Sequence, residues 1–312
     1  MKKWMLGILV ILSVAVVSVY AFIPQTLVVA TVTPINTNYT NAVAYSSDSN
    51  NWAKWWPTIT KNDSKQVGMY KGVGYQIVYK SYNNTQLKLV YKNDTTIANM
   101  AVAGFIHDSV KIICQFTFEA NLNPITRIKQ YNTAVYLKQN VHDVMDGLRA
   151  FLEKPENVYG FKIKSTTVKD TVLLSTKTVF NHYPTTIEVY AMVAKLKAYI
   201  KHAGGTETNA PMLNVTKHDD VTYKTMVAIP IDHTLPESNT IVLKRMVMGK
   251  ILESDSIKGG KTVVDQSFKI FEQYFEDYKH TSPAIPFQLL VTDRLKEPDS
   301  LKWVTRFYYP IF

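Results

Sequence analysis

The chain has 312 residues, 46% of them apolar, with 12 glycines, 13 prolines and one cysteine; 35 basic against 25 acidic side chains leave a formal net charge of +10. That composition excludes a disordered or low-complexity chain, and one thiol excludes an internal disulfide framework. The length suits two domains. The positive charges are spread singly along the predicted elements, so they point to a basic surface facing anionic headgroups and to no nucleic-acid reader.

The first element runs without charge from Trp4 to Ile23, behind Lys2 and Lys3 and ahead of Pro24. At ~1.5 Å per residue, about twenty helical residues span roughly 30 Å, the thickness of a bilayer's hydrocarbon core. Residues 1–24 are therefore expected to be a transmembrane signal-anchor, with the two lysines holding the amino terminus in the cytoplasm and the rest exported. A cleaved signal peptide ending at Ala21 is the competing reading, but the apolar run exceeds the ~7–15 residues of such a core.

The segment 25–155 follows with a strand at Leu27 to Ile35, a short helix at Tyr39 to Ser46, and the Trp52, Trp55, Trp56, Pro57 cluster. Alternating runs at 67–70, 75–79, 87–91, 96–103 and 109–119, separated by turns such as Asn83-Asn84 and Asn93-Asp94, predict an antiparallel meander. Val135, Leu137, Val141, Val144, Met145, Leu148, Phe151 and Leu152 then give the apolar stripe of a long helix over 133–153, ended by Pro155. This order, with the Trp-x-x-Trp-Trp-Pro element, resembles the START-like, polyketide-cyclase-like helix-grip family. The resemblance implies a sheet curled around the last helix and enclosing an apolar cavity. The three tryptophans read as core packing at the sheet mouth, with ligand contact as the alternative. Cys114, in an apolar run, reads as a small buried hydrophobe.

Residues 156–160 read as a short linker, and 159–312 as a duplication with repeats at about 160–232 and 240–312. Val221 to Ile231 lies over Leu301 to Ile311 without a gap (301 − 221 = 80), with Tyr223 on Trp303, Thr225 on Thr305 and Pro230 on Pro310. Ahead of each run stands an apolar helix pattern, 186–203 and 262–279, and a strand-like opening, 171–176 and 241–247. Each repeat thus reads βαββ. Neither could bury both faces of its own sheet, so the two are expected to fold face to face about a pseudo-twofold axis, leaving a cleft at the seam. This layout, closed by Tyr308-Tyr309-Pro310-Ile311, resembles the gyrase-inhibitor-like effector-binding domain. The fold class expected for the whole chain is α+β.

In that family the penultimate strand commonly reads Glu-x-Tyr followed by Asp-Pro, with the glutamate facing cationic ligands. Aligned on Asp293, those positions hold Gln288, Leu290 and Arg294, so cation binding is not carried over. Trp303, Tyr223, Gln288 and Leu290 are the expected contacts of the cleft. Aromatic walls with one amide suit a flat, neutral or weakly polar, hydrophobic or aromatic small molecule. Nothing predicts a metal or cofactor: His107, His142, His182, His202, His218, His233 and His280 are scattered, and Gly204-Gly205 reads as a helix stop with no phosphate-loop context. The function expected is a membrane-anchored small-molecule-binding protein. The alternatives are a hydrolase- or cyclase-like enzyme on a hydrophobic substrate, and a non-catalytic envelope protein that binds a protein partner.

Overall fold

The computed structural model describes residues 2–62, 65–82, 84–92, 94–106, 108–169, 171–219 and 221–312. Asn83, Asn93 and His107 lie outside them. The chain divides into two compact units, Met1–Lys154 and Pro155–Phe312. Both are mixed α+β, each built on one antiparallel sheet.

The first unit opens with α1 (Lys2–Phe22), whose Trp4–Phe22 stretch is long and apolar enough to cross a membrane. Then come β1 (Thr26–Ile35), α2 (Tyr39–Ser47), α3 (Ser49–Trp52), β2 (Thr58–Asn62), β3 (Lys65–Tyr70), β4 (Val73–Lys80), β5 (Asn84–Tyr91), β6 (Asp94–Ile106), β7 (Ser109–Glu119) and α4 (Pro124–Leu152). The sheet order is β1-β7-β6-β5-β4-β3-β2. It curls as a half-barrel, and α4 packs on β1 and β7. β1 shows the reason: strict alternation buries Leu27, Val29, Thr31, Thr33 and Ile35 on one face.

Two differences from expectation have local causes. β2 is a polar edge strand with no apolar alternation to betray it. α4 begins nine residues before Thr133 (133 − 124 = 9), because Asn123 caps it: the Asn123 Oδ1 accepts from Ile125 N and Thr126 N, and Pro124 occupies the first turn. Ile125 and Ile128 in that first stretch are exposed, so no buried stripe marks it.

The tryptophans fill this unit. Trp52 and Trp56 are buried, and each of the three indoles donates to a backbone carbonyl: Trp52 to Ser46 O at 3.0 Å, Trp55 to Tyr45 O at 3.0 Å, Trp56 to Met69 O at 3.1 Å. The Trp56 ring lies 4.8 Å from Trp52 and 5.0 Å from Tyr75. The Tyr75 hydroxyl donates to Asn140 Oδ1 at 2.5 Å, which ties β4 to the middle of α4. Cys114 is buried in β7, and burial pushes its thiol up to about 12. It stays protonated at neutral pH, consistent with a packing role.

The second unit begins with α5 (Pro155–Tyr159) where a linker was expected. Its Tyr159 is buried, stacks edge-on against Tyr274 and donates to Asp277 Oδ2 at 2.7 Å. There follow β8 (Ile163–Thr167), β9 (Val172–Phe180), α6 (Thr186–His202), β10 (Met212–Lys217), β11 (Tyr223–Pro230), β12 (Val242–Arg245), β13 (Lys250–Ser254), β14 (Ile257–Lys258), α7 (Lys261–Asp277), β15 (Phe287–Leu290) and β16 (Val304–Ile311). α6 starts at a capping box, with Thr185 and Glu188 exchanging hydrogen bonds. It stops at Gly204, whose φ of 79° belongs to the left-handed region.

The sheet order β12-β9-β11-β10-β15-β16-β13-β8 reads as two triplets, β9-β11-β10 and β15-β16-β13, meeting between β10 and β15. Their registers correspond. Met212 pairs Ala228 and Phe287 pairs Tyr308; Leu173 pairs Pro230 and Ile251 pairs Pro310. Two points differ from the sequence reading. The triplets do not face one another; they lie side by side in one sheet, because β10 and β15 hydrogen-bond directly at Met212↔Leu289 and Leu213↔Gln288. The stretch 241–247 does not open the second triplet either. β12 pairs β9, while β8 pairs β13, so each triplet's leading strand edges the other. Such an exchange is long-range and leaves no mark on local periodicity.

Strand alternation gives the sheet two different faces. On one, α6 covers Leu174, Leu213, Val227 and Ile229, and α7 covers Leu252, Phe307 and Ile311. On the other lie Leu173, Met212, Ala228, Ile251, Phe287 and Leu289.

Candidate functional site

Gln288 and Leu290, two apart on β15, both point to the helix-covered face, as Leu213 does from β10. Where the triplets meet, α6 and α7 leave a hollow of about 200 Å³. Tyr183, Val189, Tyr190 and Leu213 line it, with Val264, Gln288, Arg294 and Trp303. Gln288 is only 9% exposed, and its carboxamide makes no hydrogen bond among the described residues.

The loop from 291 to 303 brings in the other two important side chains. The Tyr190 hydroxyl donates to Thr292 O at 2.9 Å and accepts from Arg294 N at 3.0 Å. The Trp303 indole donates to Glu297 O at 2.8 Å. Those contacts hold Arg294 inward, its guanidinium over the Trp303 ring at 5.0 Å and its Nη2 donating to Thr305 Oγ1 at 2.9 Å. Its Nε is shut off from solvent and has no acceptor. Burial depresses the guanidinium pKa, against Tyr190, Tyr183 and Asp265, yet an arginine remains cationic at neutral pH. Lys261 on α7 pairs with Asp265 one turn on and sits over the Tyr183 ring at 3.8 Å. Burial first, and then Asp265, push the Tyr183 phenol up to about 12.

The four residues expected at the cleft separate here. Gln288 and Trp303 line the hollow together. Tyr223 stands one ring behind, its centroid 5.6 Å from that of Tyr183. Leu290 is buried in the core under α6 and borders a neighbouring depression with Ala194, Pro211 and Leu295. Nothing local in Asp293-Arg294-Leu295 signals that Arg294 folds inward. Tyr183 and Lys261 were likewise not singled out, since both belong to loop-to-helix junctions whose approach only the tertiary fold decides.

The opposite face carries a second hollow of about 210 Å³, over Met212, Ile251, Phe287 and Leu289, edged by Thr166, Met246 and Tyr308. Glu253 in it is 13% exposed and fully engaged: it accepts from the Tyr308 hydroxyl at 2.8 Å and pairs with Lys164 at 3.2 Å and Arg306 at 3.4 Å. Burial alone would raise the carboxyl pKa, but these three partners outweigh it and hold it below the usual range. A carboxyl of lowered pKa stabilises the fold above about pH 4.3, its unfolded value, and loses that contribution as pH falls through the folded value. The stability gap between wild type and Glu253→Gln is therefore expected at pH 7 and should narrow as pH falls below about 4.3, as read by thermal melts along a pH series. A gap that stays constant down the series would mean packing, and not charge, is the source.

No metal-binding cluster of His, Cys, Asp and Glu occurs among the described residues. No protein-family model matches the sequence, and no curated protein matches it. Solved structures do. The EcmrR C-terminal domain is similar at 12% identity and a TM-score of 0.42, over 49% of this chain and 98% of that one. SAV2435 bound to tetraphenylphosphonium is similar at 13% identity and a TM-score of 0.32, over 48% and 94%. The di-domain ARO/CYC BexL of the BE-7585A biosynthetic pathway is similar at 7% identity and a TM-score of 0.34, over 92% and 85%. At these values the likeness to effector-binding and aromatase/cyclase proteins is one of coarse fold.

Proposed function

We propose that the chain is a membrane-anchored small-molecule-binding protein, with a helix-grip domain over 25–155 and an effector-binding-like domain over 159–312 that takes its ligand in the hollow between α6 and α7. The observation that carries this reading is the hollow's chemistry. Apolar and aromatic walls surround two inward polar groups, Gln288 and Arg294, that have hydrogen-bonding capacity to spare, the usual make-up of a small-molecule site. Its size suits one or two rings. Ligand binding is expected to quench Trp303 fluorescence, isolated by subtracting the Trp303→Phe protein, and Gln288→Ala should weaken it. A panel of neutral, anionic and cationic aromatics with no member that quenches would sink this reading.

For the anchor, the support is how α1 joins the domain. Buried Arg127 donates its Nε to Ile23 O at 2.9 Å, a cation at the carboxyl end of the helix. The Tyr20 hydroxyl reaches Leu122 O, and its ring packs on the Arg127 guanidinium at 4.9 Å. Tyr20 would be lost by cleavage after Ala21. Beside this junction Leu122 and Ile125 stand 78% and 66% exposed, apolar groups where a bilayer surface would meet the domain. The intact mass of the membrane-extracted protein should include residues 1–21; a mass lacking them would replace the anchor with a signal peptide.

A further inference from the structure

Arg294 is a half-buried cation whose Nε is shut off from solvent without an acceptor. A buried cation needs either a carboxylate or a full set of acceptors to offset its lost hydration. Arg294 has one hydroxyl acceptor, Thr305 Oγ1, and the face of Trp303. Among the described residues no carboxylate pairs with it, and Asp265, the acidic residue of the hollow, is paired with Lys261. The charged groups lining the cavity are thus two cations and one anion, with the anion already engaged. The corresponding place in the first repeat differs. Thr225, which matches Thr305, is equally buried, but its hydroxyl has no hydrogen-bond partner among the described residues. The guanidinium thus keeps donor capacity that its contacts with Thr305 and Trp303 leave unused.

We infer that the hollow between α6 and α7 takes a small aromatic acid, its anionic group received by Arg294 and its ring held between Trp303, Tyr183 and the apolar wall of Val189, Leu213 and Val264. This rests on the reading of the hollow as a ligand site and adds the charge of the ligand. A planar guanidinium matches a carboxylate or sulfonate through paired N–H donors. Gln288 contributes an amide, which can donate to the same anion without repelling it, where a carboxylate would repel it. Tyr183 stays a neutral phenol at neutral pH and adds no opposing charge. The volume of about 200 Å³ falls below the ~300–1,000 Å³ of drug-sized pockets, so the occupant is one or two rings.

The test uses the full chain in detergent and three probes of one shape: naphthalene-2-carboxylate, naphthalene-2-carboxamide and the naphthylmethyl-trimethylammonium cation. Trp303 quenching or calorimetry reads the affinity. The carboxylate is expected to bind about 10- to 100-fold more tightly than either other probe, the range a charge-assisted hydrogen bond supplies. Arg294→Gln should cost the carboxylate at least about 10-fold more affinity than it costs the carboxamide. Gln288→Glu offers an independent check that keeps the arginine: it should weaken the carboxylate at least about 10-fold and admit the cation. Equal affinity for the three probes, or a carboxylate indifferent to both substitutions, overturns the charge preference while the ligand site stands. Silence from all three probes, with both variants folded, overturns the ligand site as well.

Discussion

Replacing Phe307 by alanine is expected to lower the stability of residues 155–312 by about 3–5 kcal/mol, the range for emptying a buried phenylalanine site. Phe307 is wholly inaccessible at the centre of β16. Its ring meets Phe268 at 5.2 Å, Phe271 at 5.8 Å and Phe161 at 6.4 Å, so three aromatics would lose their common neighbour at once. The site cannot collapse easily. β16 is held on one side by β15 and on the other by β13 and β14, and the Phe307 amide also donates to the buried Ser254 Oγ at 2.8 Å. A denaturant midpoint for the second unit that moves by less than 1 kcal/mol equivalent, read by loss of amide protection in β15 and β16, would show that α7 closes the gap. Phe307→Leu, which keeps most of the volume, should recover the larger part.

Gly68→Ala should damage the first unit by overfilling it. Gly68 pairs with both Ile59 and Tyr75 in β3, and a β-carbon there would lie 2.5 Å from Cε2 of the Trp56 indole. Trp56 has nowhere to retreat: its ring is wedged against Trp52, Trp55 and Tyr75, and its Nε1 is tied to Met69 O. The expected cost is about 1–3 kcal/mol. A change in the near-ultraviolet spectrum of the tryptophans should accompany it, since the indole must turn. Gly74→Ala is the control, because the nearest atom to its β-carbon is the flexible Met69 sulfur at 3.4 Å. Comparable losses in the two variants would attribute the effect to strand conformation and not to Trp56.

Both predictions concern contacts that the linear pattern only half reveals. The stripe on α7 marks Phe268 and Phe271 as inward, and the alternation of β16 puts Phe307 on one face, yet only the fold sets one against the other. The same holds for the tryptophan cluster. Its aromatic density argues for packing, but the space for Trp56 is created by a glycine in a strand paired several residues away. Gly68, in a run ending Met69-Tyr70, shows no turn or cap signature that would single it out.

The site shows the same division more sharply. An offset of eighty residues aligned Tyr223 with Trp303, and the pairings of β11 with β10 and of β16 with β15 keep that offset from Thr225 and Thr305 to Ala228 and Tyr308. The equivalence did not extend to surroundings: Trp303 reaches the hollow, while Tyr183 stands between it and Tyr223. Gln288 and Leu290 share a face because strand side chains alternate with a period of two. Their neighbours differ because β15 is short and its end lies under α6.

What the sequence by itself determined is whatever depends on short-range pattern: the long apolar first helix, the helices under capped and striped segments, the meander, and the eighty-residue offset that β11 and β16 keep in their pairings. What the tertiary structure alone decided is whatever depends on long-range pairing: the exchange of β8 and β12 between the triplets, their joining side by side through β10 and β15, and the inward turn of Arg294. Periodicity reports which face of an element is buried, because burial repeats with the element's own geometry. It carries no information on which distant element supplies the cover, and a charged residue in a turn looks the same to it in water or against a tryptophan.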